Sequence, residues 1–209
     1  MKSFTCPSCG AQIDFQSSIT LYCVCAYCRS MVVRRDLDVE AIGKVAQLKE
    51  DSSPFQLGTQ GLYRKLPFTL IGRVVRGWSD GQWNEWFMLL EDQRRGWLAE
   101  AQGQLMVFLE SDVTVLQSSA KDWSVGTTVT FAKQLYSVSD IKESRCIGTE
   151  GELPALVRAG EQVTSIDLTA PPTLCATIEL SGTDCPVYLG EFVEFEACRF
   201  NYLRELPGW

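Results

Sequence analysis

The chain has 209 residues, 45% apolar and 22% charged, which is the balance of an ordinary soluble protein and enough for a small module plus one or two compact domains. It contains no histidine, so the commonest general base, the usual partner of a Ser or Cys nucleophile and the commonest nitrogen ligand of a catalytic metal are all missing. The net charge is −7, yet residues 1 to 35 carry Lys2, Arg29, Arg34 and Arg35 against Asp14, so the remainder is the acidic part, and an acidic body disfavours the phosphate backbone of nucleic acids.

The first residues, Met1-Lys2-Ser3-Phe4-Thr5-Cys6-Pro7, have no apolar h-region and run directly into a cysteine knuckle, which argues against a signal peptide. The longest apolar runs, Trp86 to Leu90 and Leu105 to Leu109, are too short to cross a bilayer. The expectation is a soluble, cytoplasmic protein with reduced thiols.

Cys6-Pro7-Ser8-Cys9 and Cys25-Ala26-Tyr27-Cys28 are two Cys-x-x-Cys knuckles separated by fifteen residues. That spacing is the signature of a four-cysteine zinc site, with zinc–sulfur distances near ~2.3 Å. The sequence therefore predicts a zinc ribbon over residues 1–35, with Cys6, Cys9, Cys25 and Cys28 holding one structural Zn2+. Four thiolates leave no open position for catalysis, and a redox Cys-x-x-Cys pair should stand at a helix N-terminus. Cys23, two residues before Cys25, is the competing ligand; two equivalent knuckles favour Cys25. Short strands are predicted at Gln12–Phe15, Ile19–Tyr22 and Ser30–Arg34. Cys146, Cys175, Cys185 and Cys198 form no knuckle and read as small buried hydrophobes.

Residues 36–54 read as a polar linker, with a short strand over Lys44–Leu48 and a helix there as the alternative interrupted by Gly43. From Phe55 the pattern becomes strand, turn, strand. Phe68–Arg76 is β-branched, Asp80-Gly81 is a hairpin signal, and Trp83–Leu90 returns. Gly96–Glu100 and Gln104–Glu110 continue the meander. Ser124-Val125-Gly126-Thr127 echoes Gln56-Leu57-Gly58-Thr59, and Leu135–Val138 stands where Phe68–Ile71 stands in the first half. The expected architecture is mainly β: a ribbon followed by a duplicated antiparallel β-barrel or sandwich, with units at residues 55–116 and 117–209. Further strands are predicted at Leu153–Arg158, Val163–Leu168, Leu174–Leu180 and Pro186–Phe200.

Trp78, Trp83, Glu85, Trp86 and Trp97 fall within twenty residues. On a strand Trp83, Glu85 and Phe87 share one face and Asn84, Trp86 and Met88 the other, so one set fills a core while the other is covered by a second unit, the ribbon or a partner. Trp83, Glu85, Trp86 and Trp97 are the candidate partner-binding residues. No phosphate-binding glycine loop is present. Glu150-Gly151-Glu152 and the Glu191–Glu196 run read as solvated strand edges, and no residue stands out as catalytic.

Gln56-Leu57-Gly58-Thr59-Gln60-Gly61, Phe68-Thr69-Leu70-Ile71-Gly72-Arg73, Trp83-Asn84-Glu85-Trp86 and Gly96-Trp97-Leu98-Ala99-Glu100 resemble the bacterial domain of unknown function 4178 family. So do Glu150–Pro154, Ala176–Glu179, Val187–Gly190 and Leu203-Arg204-Glu205. The resemblance spans roughly residues 53 to 205. It implies a β-rich domain with no established activity, an N-terminal zinc ribbon in many members, and an accessory role in an envelope-stress or polyamine-linked system. The resulting expectation is a non-enzymatic, zinc-stabilised adaptor for a protein partner, membrane-associated in that setting. A small-molecule (polyamine) binder or uncharacterised enzyme is the first alternative, and nucleic-acid binding through the ribbon the second.

Overall fold

The computed structural model describes residues 2–206 except 19, 36, 37, 46, 47, 49 and 50. In chain order the strands are β1 (Lys2–Thr5), β2 (Gln12–Phe15), β3 (Tyr22–Val24), β4 (Ser30–Arg35), β5 (Asp38–Lys44), β6 (Gln60–Tyr63), β7 (Leu66–Trp78), β8 (Gly81–Leu90), β9 (Arg95–Ala101), β10 (Gln104–Leu109) and β11 (Thr114–Leu116). One helical turn, α1 (Gln117–Ala120), precedes β12 (Thr128–Phe131), β13 (Gln134–Leu153), β14 (Gln162–Ala170), β15 (Leu174–Glu179) and β16 (Asp184–Val193). A 3-10 turn at Glu196–Cys198 follows. Every named ladder is antiparallel, so the chain is mainly β as its alternating apolar pattern predicts.

In the ribbon β1 pairs β2, and β3, β4 and β5 form a meander. The strand predicted at Ile19–Tyr22 lies further along, at Tyr22–Val24, and Ile19 itself is outside the described residues. The connector contains β5 rather than a strand over Lys44–Leu48; Ala46 and Gln47 lie outside the described residues. β5 borders β4 from Asp38 to Lys44, and Val39 and Ala41 are its partly buried positions.

The body is a duplication, and its register can be followed residue by residue. Gly58 N–H donates to Leu70 O and Leu70 N–H to Thr59 O; sixty-eight residues on, Gly126 N–H donates to Val138 O and Val138 N–H to Thr127 O. The Thr59 hydroxyl accepts from Gln56 N–H at 3.1 Å, and that of Thr127 from Ser124 N–H at 3.1 Å. The two-residue turns that join β6 to β7 and β12 to β13 are left-handed at both positions, Arg64-Lys65 and Ala132-Lys133, as the tight hairpin requires. A bulge follows Leu70 in β7 and Val138 in β13. The repeat is one residue out of step with the sequence expectation: Tyr136, not Leu135, takes the place of Phe68. Ladder by ladder, Trp86 then corresponds to Ile166, Leu98 to Ile178 and Val107 to Val187.

These equivalent residues build two separate cores. Tyr63, Phe68, Leu70, Trp86, Leu98 and Val107 pack in the first unit, and Phe131, Tyr136, Val138, Ile166, Ile178 and Val187 in the second. Each buried large side chain contributes on the order of 1.5–3 kcal/mol of transfer free energy. Each core is capped by the chain leaving the other unit. Val113, Val115 and Ala120, after β10, cover the second core; Phe200 and Leu203, after β16, cover the first.

Two ladders of the main circuit tie the units together, and β11 adds a third off that path by pairing with β16. β7 pairs β13, with Gly77 opposite its own duplicate Arg145, and β10 pairs β16, with Leu109 opposite Leu189. The path β7-β8-β9-β10-β16-β15-β14-β13 therefore returns to β7 as a closed circuit of ladders. β13 pairs in turn with β12, β14, β7 and β3, and so belongs to both units and to the ribbon sheet. The strand predicted at Leu153–Arg158 is absent; Leu153 instead ends β13. β13 escapes sequence reading because Ser139 to Glu152 is polar and only its pairing on both sides makes it strand.

Candidate functional site

The four predicted ligands converge. One sulfur from each of Cys6, Cys9, Cys25 and Cys28 lies within 4.8 Å of the others, with Cys6–Cys28 at 3.7 Å and Cys9–Cys25 at 3.8 Å. These separations match the edge of a tetrahedron whose metal–sulfur bonds are about 2.3 Å. The two knuckles are built alike. Gly10 N–H donates to Cys6 O and Cys6 N–H to Ala11 O; Arg29 N–H donates to Cys25 O and Cys25 N–H to Ser30 O. Gly10 and Arg29 occupy the same left-handed position in each turn, which turns both sulfurs of a pair to one side. Cys23 is outside the cluster: it sits in β3, 8% exposed, and burial pushes its thiol up to about 12.

The ribbon is fastened to the body at one carboxylate. Glu152, in β13 and 2% exposed, accepts from Gln16 N–H at 2.5 Å, Ser17 N–H at 3.2 Å and Thr20 Oγ1 at 2.5 Å. Its backbone pairs with Cys23 of β3. Burial raises the Glu152 carboxyl, and the three donors oppose that shift. This corrects the expectation of a solvated edge at Glu150–Glu152. The close seat also explains Gly72, where a Cβ would lie 1.8 Å from Glu152 O. Arg34 stacks over the Phe15 ring at 5.0 Å and donates to Ser17 O and Ser18 O, closing the loop that grips Glu152.

The tryptophan faces divide as the strand period predicts, and the structure says what covers each. Trp86 is 1% exposed in the first core. Its indole N–H donates to Glu100 Oε2 at 3.3 Å, within a network that joins Asn84, Arg73, Asp51, Ser53 and Arg204. Arg73 lies over the Trp86 ring at 4.7 Å. Burial pushes Asp51 up, but Arg73, Asn84 and Arg204 outweigh it and hold the carboxyl below its ordinary value. This network ties residues 51–54 and the segment at Arg204 onto β7, β8 and β9.

Trp83, Glu85 and Phe87 face the second unit. Arg76 reaches Glu85 Oε2 at 3.2 Å and, across the circuit, Glu179 Oε1 of β15 at 2.7 Å. Trp83 Nε1–H donates to Glu85 Oε1 at 2.8 Å. Burial and the nearby Glu85 charge push Glu179 up to about 7, against the pull of Arg76. Trp97 packs on Phe87, ring centroids 5.1 Å apart, and Trp83 on Trp78 at 5.4 Å. Beside Trp78 opens a cleft of about 440 Å³ lined by Trp78, Glu143, Ser144, Arg145, Thr164 and Leu180. Of the four residues expected at a partner surface, Trp86 has no surface to offer, while Trp83, Glu85 and Trp97 are half-buried. Sequence reasoning missed Arg76, Arg73 and Glu152. The signal available was a pair of arginines three apart within a β-branched run, which marks charges that the fold must pair.

A four-cysteine ribbon joined through β3 to a duplicated, circuit-closed antiparallel body defines the class of protein. A family model described as Domain of unknown function (DUF4178) matches residues 56–195, more than half of the chain, and the chain belongs to that family. No curated protein and no solved structure matches it. No helix among the described residues is long and apolar enough to cross a membrane.

Proposed function

We propose that this is a non-enzymatic binding protein whose N-terminal ribbon is folded by one structural Zn2+ on Cys6, Cys9, Cys25 and Cys28. The observation that carries the metal reading is the mutual approach of four sulfurs within 4.8 Å on two matched knuckles. A soft, all-thiolate, four-coordinate set suits zinc, supplies folding free energy and leaves no position for substrate. Metal analysis of protein purified without added metal tests this: one zinc per chain is expected, and less than half an equivalent, with the ribbon folded, would refute it.

The binding role rests on where polar groups are engaged. Arg73, Arg76, Asp51 and Glu152 cross-link elements, whereas Trp78, half-buried, lines the cleft and Trp83, also half-buried, packs on Trp78. We assign recognition of a protein segment to this aromatic pair and its cleft. Replacing Trp83 with Ala should abolish capture of the partner from native lysate while circular dichroism is unchanged; undiminished capture by the folded variant counts against this surface. Glu143 and Arg145 both line this cleft, so its charge is mixed, and the second reading, a small organic cation such as a polyamine in the same cleft, rests on the Glu143 carboxylate alone. A reproducible, ligand-specific rise in Tm would move the assignment from protein to small molecule.

A further inference from the structure

The duplication makes one difference between the units informative. In the first unit the outer edge of β6 is closed: Gln60 N–H donates to Asn201 O at 3.1 Å and Gln60 O accepts from Asn201 N–H at 2.8 Å. Thr59 Oγ1 adds a bond to Tyr202 O at 3.0 Å. In the second unit the residue equivalent to Gln60 is Thr128. β12 pairs β13 on one side, with Phe131 opposite Gln134 closing the hairpin, so Val129 and Phe131 bond inward and Thr128 and Thr130 direct their N–H and C=O groups outward. Among the described residues nothing pairs with that outer side.

Open strand edges are ordinarily guarded by charge, proline or a cover. β5 carries Asp38, Glu40 and Lys44 along its edge. β12 carries none of these: from Ser124 to Ala132 the chain has no charged residue and no proline. Beside it Val125 is 65% and Leu135 58% exposed. An uncharged, β-branched, unguarded edge flanked by exposed apolar side chains is built to be covered.

We propose that β12 pairs antiparallel with β12 of a second copy of this chain, so that the two bodies share one continuous sheet. The outward sequence Thr128-Val129-Thr130 reads the same in both directions about Val129. A twofold axis through Val129 therefore sets Thr128 of one copy against Thr130 of the other, and each pair exchanges both backbone bonds. Such self-complementarity is what an isologous contact requires, and it needs no second kind of partner. The neutral edge also lets two chains of net charge −7 meet without setting like charges opposite one another.

The test is sedimentation equilibrium of the full zinc-loaded chain up to about 100 μM, which detects association in the micromolar range and tighter. A dimer is expected. Thr130→Pro removes one outward N–H and no inward bond, so it should keep the fold and weaken the dimer at least about tenfold. Should that variant not fold, Thr128→Pro removes the other outward N–H at the first residue of the strand and should weaken the dimer by a similar factor. A wild-type chain that is monomeric throughout overturns the proposal. So does a dimer unmoved by either folded variant, because the contact would then lie elsewhere; binding of an extended peptide at β12 by a monomeric chain overturns it as well.

Discussion

At the scale of single residues, Glu152, Cys25 and Glu179 each stand where environment rather than residue type decides the outcome. Glu152 would be read from sequence as a surface acid, yet it is buried with three donors from the ribbon. Replacing it with Ala removes the carboxylate that accepts from Gln16 N–H, Ser17 N–H and Thr20 Oγ1, a cost of about 3 kcal/mol measurable by urea unfolding. Gly72→Ala drives a Cβ into Glu152 O and should cost a similar amount, about 3 kcal/mol, through forced backbone movement. For the metal, Cys25→Ser should lower zinc content well below one per chain, whereas Cys23→Ser should leave it unchanged, since the Cys23 thiol lies outside the cluster. Glu179 gives a pH dependence. A carboxyl whose folded value lies above its ordinary one holds its proton more tightly folded than unfolded, so stability falls as pH rises between the two values. For Glu179 that window runs from 4.5 to about 7. Glu179→Gln should flatten the slope there, as read from midpoints of denaturant unfolding across that pH range.

At the scale of elements, legibility followed pattern strength. The knuckles were legible because two Cys-x-x-Cys turns at that spacing have few other uses. β8 and β10 were legible because their apolar content and flanking turns were decisive on their own. β13 was not: Ser139 to Glu152 has no strand period, and it is held extended by β14, β7 and β3 in succession. Nor could spacing reveal which partner covers the Trp83 face, because Arg76–Glu179 joins residues more than a hundred positions apart. The β3–β13 ladder is only two pairs long, at Cys23–Glu152 and Tyr22–Leu153. Chelating the metal should release it first. Hydrogen exchange should then accelerate in β3, β4 and at Glu152 and Leu153, while β8 and β9 keep their protection; loss of protection throughout would mean that the ribbon is integral to the body's stability.

At the scale of the molecule, the duplicated units have their own cores but not their own boundaries. Each core is lidded by chain that leaves the other unit, and two of the three inter-unit ladders lie within the closed circuit. The body should therefore unfold as one cooperative transition, with calorimetric and van't Hoff enthalpies equal once the ribbon's contribution is separated by chelation. Two resolved transitions within the body would contradict the shared architecture.

The crossing of lids has a consequence for a chain made from one end. When β10 leaves the ribosome, the first unit has its strands β6 to β10, but its outer ladder waits for β16 and its core for Phe200 and Leu203. The early half must idle as an unsealed sheet until β16 and the segment through Leu203 have been synthesised. The second unit meets its own cover, Val113 to Ala120, before its strands exist. Completion therefore runs backwards relative to synthesis: the later half can close first, and the earlier half is sealed by residues made after it, Phe200 and Leu203.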